Sequence, residues 1–340
     1  MPTIVVSSIG TTGRDYSTLQ AWEDACPANL VTTDQVWKGE CYNDSQFTAG
    51  VMISGQTTDS TRYVWLTAAA GQSFQDHADV RTNPLIYDQS KGVGVRASVE
   101  FSWAVVATNN VHLLVSRLQF KLPYIYAAGG LAFAAYSVIR DCIIEGELYG
   151  PLLDFFNAGA ALSSAAINCL LIRGAADTVN PPAARGNFIN CTVVRPSTYT
   201  AGGTAFARDY GLSVKNCAAF GFTTFRSGTG SSYYTGSYNG SDCSADAQDT
   251  NSTGGLTFSD CFESTTNDFR LKSGSPLIDA GNTDATNAPN DITGTARDAT
   301  TDGDVGAWEY SAGGGGGADT PEHLLRARRP GVTWINDRGA

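Results

Sequence analysis

Apolar and polar positions along this chain come in short strand-like bursts, and between about residues 137 and 262 one burst keeps returning. It reads Val138-Ile139-Arg140-Asp141-Cys142-Ile143-Ile144, then Ala166-Ile167-Asn168-Cys169-Leu170-Leu171-Ile172 and Phe188-Ile189-Asn190-Cys191-Thr192-Val193-Val194. Two further copies are Leu212-Ser213-Val214-Lys215-Asn216-Cys217-Ala218 and Leu256-Thr257-Phe258-Ser259-Asp260-Cys261-Phe262. Cys142, Cys169, Cys191 and Cys217 are separated by 27, 22 and 26 residues; Cys243, preceded by Asp242, lies 26 beyond, and Cys261 another 18. A period in the low to middle twenties carrying strands predicts a solenoid in which each coil is one repeat. The fold class is therefore all-β, a parallel β-helix.

Identical side chains one coil apart lie about 4.8 Å from each other, the spacing of neighbouring strands. Small Cys residues stack inside at that spacing, while the Asn or Asp before each one turns the corner in the left-handed conformation it tolerates. Cys142, Cys169, Cys191, Cys217, Cys243 and Cys261 are thus expected to form a buried structural ladder. Metal binding would call for CxxC pairs or clustered His, and the sequence has neither. No metal and no cofactor is expected.

Upstream, weaker copies with larger aromatic residues predict wider coils: Val51-Met52-Ile53, Tyr63-Val64-Trp65-Leu66, Pro84-Leu85-Ile86-Tyr87, Gly94-Val95-Arg96 and Val111-His112-Leu113-Leu114-Val115. Val115-Ser116-Arg117-Leu118-Gln119-Phe120 takes the place of a ladder copy ahead of Cys142. Before them, Ser17-Thr18-Leu19-Gln20 reads as a capping box, and Leu19, Trp22 and Cys26 share one helical face. A short helix there would lie over the open first coil, whose core and sheet edge need a lid. The expected division is 1–29 N-terminal strand and capping helix, 30–267 helix body of roughly ten coils, 268–311 closing segment, 312–318 Gly-rich tether and 319–340 arm.

Two stretches carry a resemblance. Asp15-Tyr16-Ser17-Thr18-Leu19-Gln20-Ala21-Trp22 resembles the opening of pectin-lyase-like right-handed β-helix proteins. Asp268-Phe269-Arg270-Leu271, Gly274-Ser275-Pro276-Leu277-Ile278-Asp279-Ala280-Gly281, Asp291 to Arg297 and Asp304-Val305-Gly306-Ala307-Trp308-Glu309-Tyr310 resemble the closing segment of choice-of-anchor-type β-helix proteins of bacteria and phage. The residues themselves read as a polar cap in which Asp279, Asp291, Asp304 and Glu309 surround Arg297, a fork donor able to bridge carboxylates. Calcium held by Asp298, Asp302 and Asp304 is the alternative, at a spacing that misses the EF-hand pattern.

The formal net charge of -11 repels phosphate backbones and anionic membranes, so neither nucleic acid nor membrane is an expected partner. Met1-Pro2-Thr3-Ile4-Val5-Val6 begins a strand with no basic and apolar leader before it, and no apolar run has the length of a membrane span. Folding in the cytosol follows, with thiols reduced.

The candidate chemistry is sparse. Glu145 and Glu147, on one strand face with Asp154 near, form the best acidic cluster; Asn282-Thr283-Asp284 resembles the polygalacturonase tripeptide only in passing, and the three histidines are scattered. No catalytic set emerges. After Tyr310, five glycines at 313–317 precede Thr320-Pro321-Glu322, a good helix start, and then a basic, partly apolar stretch. Leu324, Leu325, Trp334 and Ile335 would serve as apolar anchors of a docking arm, with Arg326, Arg328 and Arg329 pairing with acidic surface. The expectation is a non-enzymatic structural component of a tailed-bacteriophage virion, a capsid decoration or head-to-tail accessory protein that docks on other virion proteins. What the resemblance to phage β-helices implies beyond that is a homotrimer. A tailspike depolymerase working near Glu145 and Glu147 is the first alternative. The second is an adhesin that displays Tyr233, Tyr234 and Tyr238 to a host surface glycan.

Overall fold

The computed structural model describes residues 1–77, 84–96, 104–108, 111–122, 130–147, 150–156, 164–174, 181–226, 234–243, 249–282, 287–298 and 302–311, with the backbone alone at 208–211. The coil beginning at Ser137 shows how the repeat becomes a shape. Ser137–Arg140 is a strand on the first face; Asp141 turns the chain at φ 54, Cys142 is fully buried, and Ile143–Gly146 runs along a second face. Leu153–Phe155 lies on a third face, and the chain returns at Ala165–Ile167 beside the strand where it began. All of these pairings are parallel, as one strand per coil requires.

The corner between the first and second faces repeats the same geometry. Arg117, Asp141, Asn168, Asn190, Asn216 and Tyr238 all sit at positive φ, between 50 and 61°. Asn and Asp adopt that conformation at little cost because their side chains bond locally, and Arg and Tyr are tolerated at the ends of the row. On the second face, Ile143 pairs with Leu170, Leu170 with Thr192 and Thr192 with Ala218. The residues just before these, Cys142, Cys169, Cys191 and Cys217, therefore stand in one column, each fully buried. Their thiols bond to carbonyls: Cys191 Sγ lies 3.4 Å from the oxygens of Ala166 and Ile189, and Cys217 Sγ 3.4 Å from that of Phe188.

Cys243 and Cys261 are not in that column, a correction to the even spacing of the sequence. Ala218 pairs with Gly240, so the place above Cys217 belongs to Asn239. Its Oδ1 accepts the Cys217 N–H at 2.9 Å and its Nδ2 donates to the Val214 carbonyl at 2.9 Å. One rung below, Cys217 Sγ meets the Cys191 N–H at 3.4 Å and the Phe188 carbonyl, so Asn239 repeats the thiol's two contacts. Cys243 is buried elsewhere in the core, with Sγ 3.4 Å from the Phe222 oxygen, and Cys261 ends a short helix, Phe258–Cys261, outside the coils. A second interior column consists of Phe133, Phe155, Phe188, Phe206 and Phe225, with successive ring centroids 5.1 to 5.9 Å apart. Gly186, at φ 85, lets the chain bend where a Cβ would lie 2.6 Å from the Phe155 ring.

Among the described residues the second face is a sheet of seven strands, from Gly94–Arg96 to Gly240–Ser241, hence about six turns instead of the ten expected. The difference has two sources. Leu66 pairs with Val115, so a single early coil absorbs 49 residues. The chain beyond residue 256 leaves the coils altogether. Pro84 to Tyr87 is an irregular loop and not a strand, because it packs against the outside of the second face.

The N-terminal lid is present, with a different cap. Thr18 caps the helix Leu19–Asp24, accepting the Ala21 N–H at 3.0 Å, and Leu19 and Trp22 are buried. Gln20 does not bond back to the cap; its Oε1 accepts the Met52 N–H, and Glu23 Oε1 accepts the Ser54 N–H, both at 3.0 Å. Met52 belongs to Val51–Ile53, the edge strand of the third face, so the helix's polar side chains satisfy an open sheet edge. Gly39 is required beneath the lid, since a Cβ there would be 2.6 Å from the Trp22 indole. At the opposite end Asp249 accepts from the Tyr234 hydroxyl, Arg226 lies over the Tyr234 ring, and Thr250 and Thr253 bridge the last rung.

Asn239 offers a direct test of the column. Asn239→Leu leaves the buried Cys217 N–H without its acceptor and removes the Asn239 bond to the Val214 carbonyl, and is expected to cost about 2 kcal/mol or more. Asn239→Cys, which supplies both contacts again, is expected to cost less than about 1 kcal/mol. Urea unfolding of the two variants beside the wild type measures the difference.

Candidate functional site

Many outward-pointing side chains of the second face are apolar. Ile143, Leu170, Ile172, Val194, Ala218 and Phe220 are nonetheless buried, because the chain after residue 256 lies along them. Phe258, Phe262 and Phe269 cluster around Phe220, with centroids 5.1 Å apart for Phe220 and Phe262, and Leu277, Ile292, Val305, Ala307 and Trp308 continue the cover. From the wide early coil Phe74 and Leu85 complete it, and Gln75 donates to the Ile292 carbonyl. The closing segment is therefore a strap on the flank of the solenoid and not a plug over its end. A parallel sheet needs both faces covered, and here the strap covers the second one.

The corner residues supply the seam. Asn168 Nδ2 donates to the Asn290 carbonyl at 2.7 Å, Asn216 Oδ1 accepts the Asn282 N–H at 2.9 Å, and the Thr192 hydroxyl accepts the Ala307 N–H at 2.9 Å. This outward use of the Asx row was missed in the sequence. Its signal was there, in that Asp or Asn recurs at four successive corners, Asp141, Asn168, Asn190 and Asn216, with a side chain free to bond outward.

Arg297 sits at the centre of the strap, 5% exposed. It pairs with Glu309 at 2.9 Å and donates to the carbonyls of Gly306 (2.8 Å) and Ala307 (3.2 Å) and to Asn168 Oδ1 (3.3 Å). Asp291 and Asp304 are buried beside it but bond mainly to backbone N–H groups, Asp291 to those of Thr293, Thr295 and Glu309, Asp304 to those of Asp279 and Tyr310. Asp279 differs from expectation: its side chain is exposed, at φ 53, and only its N–H reaches the cluster. Burial, and then the Glu309 carboxylate, push the Asp304 carboxyl up to about 7, against the two N–H groups that favour its ionised form. Burial also pushes Asp291 up, with Arg297 opposing.

The other candidates are dispersed. Asp298 and Asp302 are exposed while Asp304 is buried, and among the described residues no cluster of three His, Cys, Asp or Glu is placed to hold a metal. Glu145 pairs with Lys121 on the rung before it, whereas Asp154, on the third face, pairs with Arg185 at 2.5 Å. Glu147 lies 3.5 Å from the Tyr199 hydroxyl. Tyr234 is partly buried against the core, with burial and Asp249 raising its phenol, and Tyr238 is a corner residue. Tyr233, Thr283, Asp284 and the arm residues Leu324, Leu325, Arg326, Arg328, Arg329, Trp334 and Ile335 lie outside the described residues.

Compared with models of known protein families and with curated proteins, the chain matches none. The likeness to pectin-lyase-like proteins thus extends to the parallel β-solenoid, and no family match carries the phage or anchor-type part of the resemblance. Among the described residues no helix is long and apolar enough to cross a membrane.

Two outcomes are expected of the strap. Arg297→Ala leaves the buried Glu309 carboxylate without its counter-charge and is expected to cost about 3–5 kcal/mol, read as a lowered melting temperature. Asp304, raised above its unfolded value of 3.8, keeps a proton in the folded state that the unfolded chain releases. Its contribution therefore falls as pH rises from about 4 to about 7. Asp304→Asn is expected to flatten the melting temperature over that window relative to wild type; an unchanged slope would exclude this linkage.

Proposed function

We propose that this chain is a non-enzymatic structural protein that docks through its C-terminal arm, residues 319–340, onto another protein of an assembly. The observation that carries the reading is where the strap ends. Tyr310 is tied to Asp304 by its N–H, Ala307 bonds to Thr192, Gly306 to the corner at Asn216, and Arg297 to the corner at Asn168. The described chain thus reaches Ser311 on the flank of the solenoid, and a slack glycine leash starting from there would present the arm sideways. A basic and apolar segment offered on that side would suit attachment of the solenoid to a surface.

The pairing of Glu145 with Lys121 and of Asp154 with Arg185 supports the non-enzymatic reading, since paired carboxylates on separate faces make no acid and base across one bond. The particular assembly we favour, a tailed-bacteriophage virion in which the chain is a capsid decoration or head-to-tail accessory protein and a homotrimer, rests on the resemblance of the closing segment. Deleting residues 313–340 is expected to leave the melting profile of the body unchanged and to abolish its incorporation into particles, measured by sedimentation with purified virions. Incorporation at the wild-type level would sink the docking role.

A further inference from the structure

At the N-terminal end of the solenoid the sheet edges are treated unequally. The third-face edge is satisfied by Gln20 and Glu23, and the first strand of the second face, Gly94–Arg96, exchanges backbone bonds with Phe47 at 2.8 and 3.1 Å. The first-face strand Thr3–Ile9 is left partly open. In a parallel ladder each residue turns its N–H and C=O to the same side, and alternate residues turn to opposite sides. The Thr3 N–H bonds to the Asp34 carbonyl and the Tyr42 N–H to that of Ile9, so Thr3, Val5, Ser7 and Ile9 serve the neighbouring strand Gln35–Cys41. Ile4, Val6 and Ser8 therefore face outward. Asp15 and Tyr16 take the groups of Ser8, at 2.8 and 3.1 Å, whereas those of Ile4 and Val6 have no partner among the described residues.

The side chains at this edge are bare as well. Ile4 is 53% exposed and Val6 51%, and with Met1 and Met52 they are the exposed large hydrophobic residues among those described, all at this end. No charged residue stands between Pro2 and Gly13, so the edge lacks the lysine with which solvent-facing strands are commonly guarded. An unguarded apolar edge with free backbone groups is suited to receive another strand.

Geometry selects the occupant. Tyr16 already bridges to Ile9, which limits the opening to residues 3–7, about 17 Å of strand. Two such edges set against each other would drive each copy's Asp15 and Tyr16 into the other's strand. One short extended segment fits where a second solenoid does not. Beyond the strap the chain carries Val332-Thr333-Trp334-Ile335, four strand-favouring residues between Gly331 and Asn336.

The leash decides whose edge is taken. The strap ends near Ala307, which bonds to Thr192, and six strand steps separate that coil from Thr3–Ile9, about 29 Å at the strand spacing. The way also leads round a corner, from the second face to the first. A flexible stretch the length of residues 312–331 spans about 25 Å. Its own edge lies farther than that, whereas the edge of a copy standing beside the flank lies within it.

We propose that residues 332–335 of one copy add as a strand to the open edge at residues 3–7 of a second copy. This rests on the docking role of the arm and names its partner as another molecule of the same chain. Val332 and Trp334, alternate residues of the added strand, cover Ile4 and Val6, an arrangement in which aromatic and branched side chains pair across strands. The contact joins two different patches, so copies linked by it extend head to tail, and a slack leash lets them close into a ring that uses every arm and every edge.

The test is sedimentation velocity of the full-length protein over a range of concentrations, with melting temperature as the folding control for every variant. Wild type is expected to associate. Val6→Lys blocks the edge and Thr333→Pro blocks the arm, and each alone is expected to sediment as a monomer where wild type is associated. Mixed in equal amounts, the two are expected to form a dimer and nothing larger, because one intact arm meets one intact edge. Ile4→Pro removes an outward N–H and none of the bonds to Gln35–Cys41, and is expected to act as Val6→Lys does. Val6→Thr, uncharged and strand-favouring, is expected to associate like wild type. A monomeric wild type, association of a blocked variant at the wild-type level, or a mixture that stays monomeric would each overturn the proposal. Should copies fail to associate while deletion of residues 313–340 still abolishes incorporation into particles, this partner falls and the docking role stands.

Discussion

The structure depends on the corner at which each coil passes from its first face to its second. A residue in the left-handed conformation turns the chain there, and the residue after it faces the core. Because the turn recurs at Asp141, Asn168, Asn190 and Asn216, the strands on either side are held in register from rung to rung. A one-residue slip would send every inward side chain of a strand to the outside. The column of thiols is the consequence of that register. Desolvation pushes Cys142, Cys169 and Cys191 well above the ordinary thiol range, so they behave as small apolar fillers.

A second constraint follows from the first. Stacking these strands leaves a patch of apolar side chains, from Ile143 to Phe220, on the outer side of the second face, and the strands themselves do not cover it. The strap and the wide early coil share that task, meeting where Phe74 and Leu85 join Phe269 and Ile292 in one cluster. The polar edge of the same corner row then fastens the strap through Asn168 and Asn216. One residue type at one corner thus turns the chain and binds the cover.

Charge is used differently in the two halves of the molecule. In the strap, Arg297 and Glu309 are buried and paired, and the buried Asp304 and Asp291 accept from backbone N–H groups, which organises a segment with little regular structure. At the N-terminal lid, Gln20 and Glu23 cap a sheet edge instead of the helix to which they belong. Carboxylates committed in this way are structural, and the exposed ones are dispersed, a distribution that suits a rigid body with its chemistry confined to particular places.

The local part of this architecture was legible in the sequence. The parallel β-helix, the turning role of the Asx residues, the ladder from Cys142 to Cys217 and the lid built on Leu19 and Trp22 all come from short-range preferences repeated at a regular period, and such preferences are written in neighbouring residues. Spacing alone misplaced Cys243 and Cys261, since the register that puts Asn239 above Cys217 is a relation between rungs and Cys243 is buried at another point of the same coil. The number of coils, the lateral course of the strap, the exclusion of Asp279 from its centre and the separation of Glu145 from Asp154 were decided only in three dimensions. The flank that binds the strap does not exist until the coils have stacked, so no stretch of the chain, read by itself, can specify it.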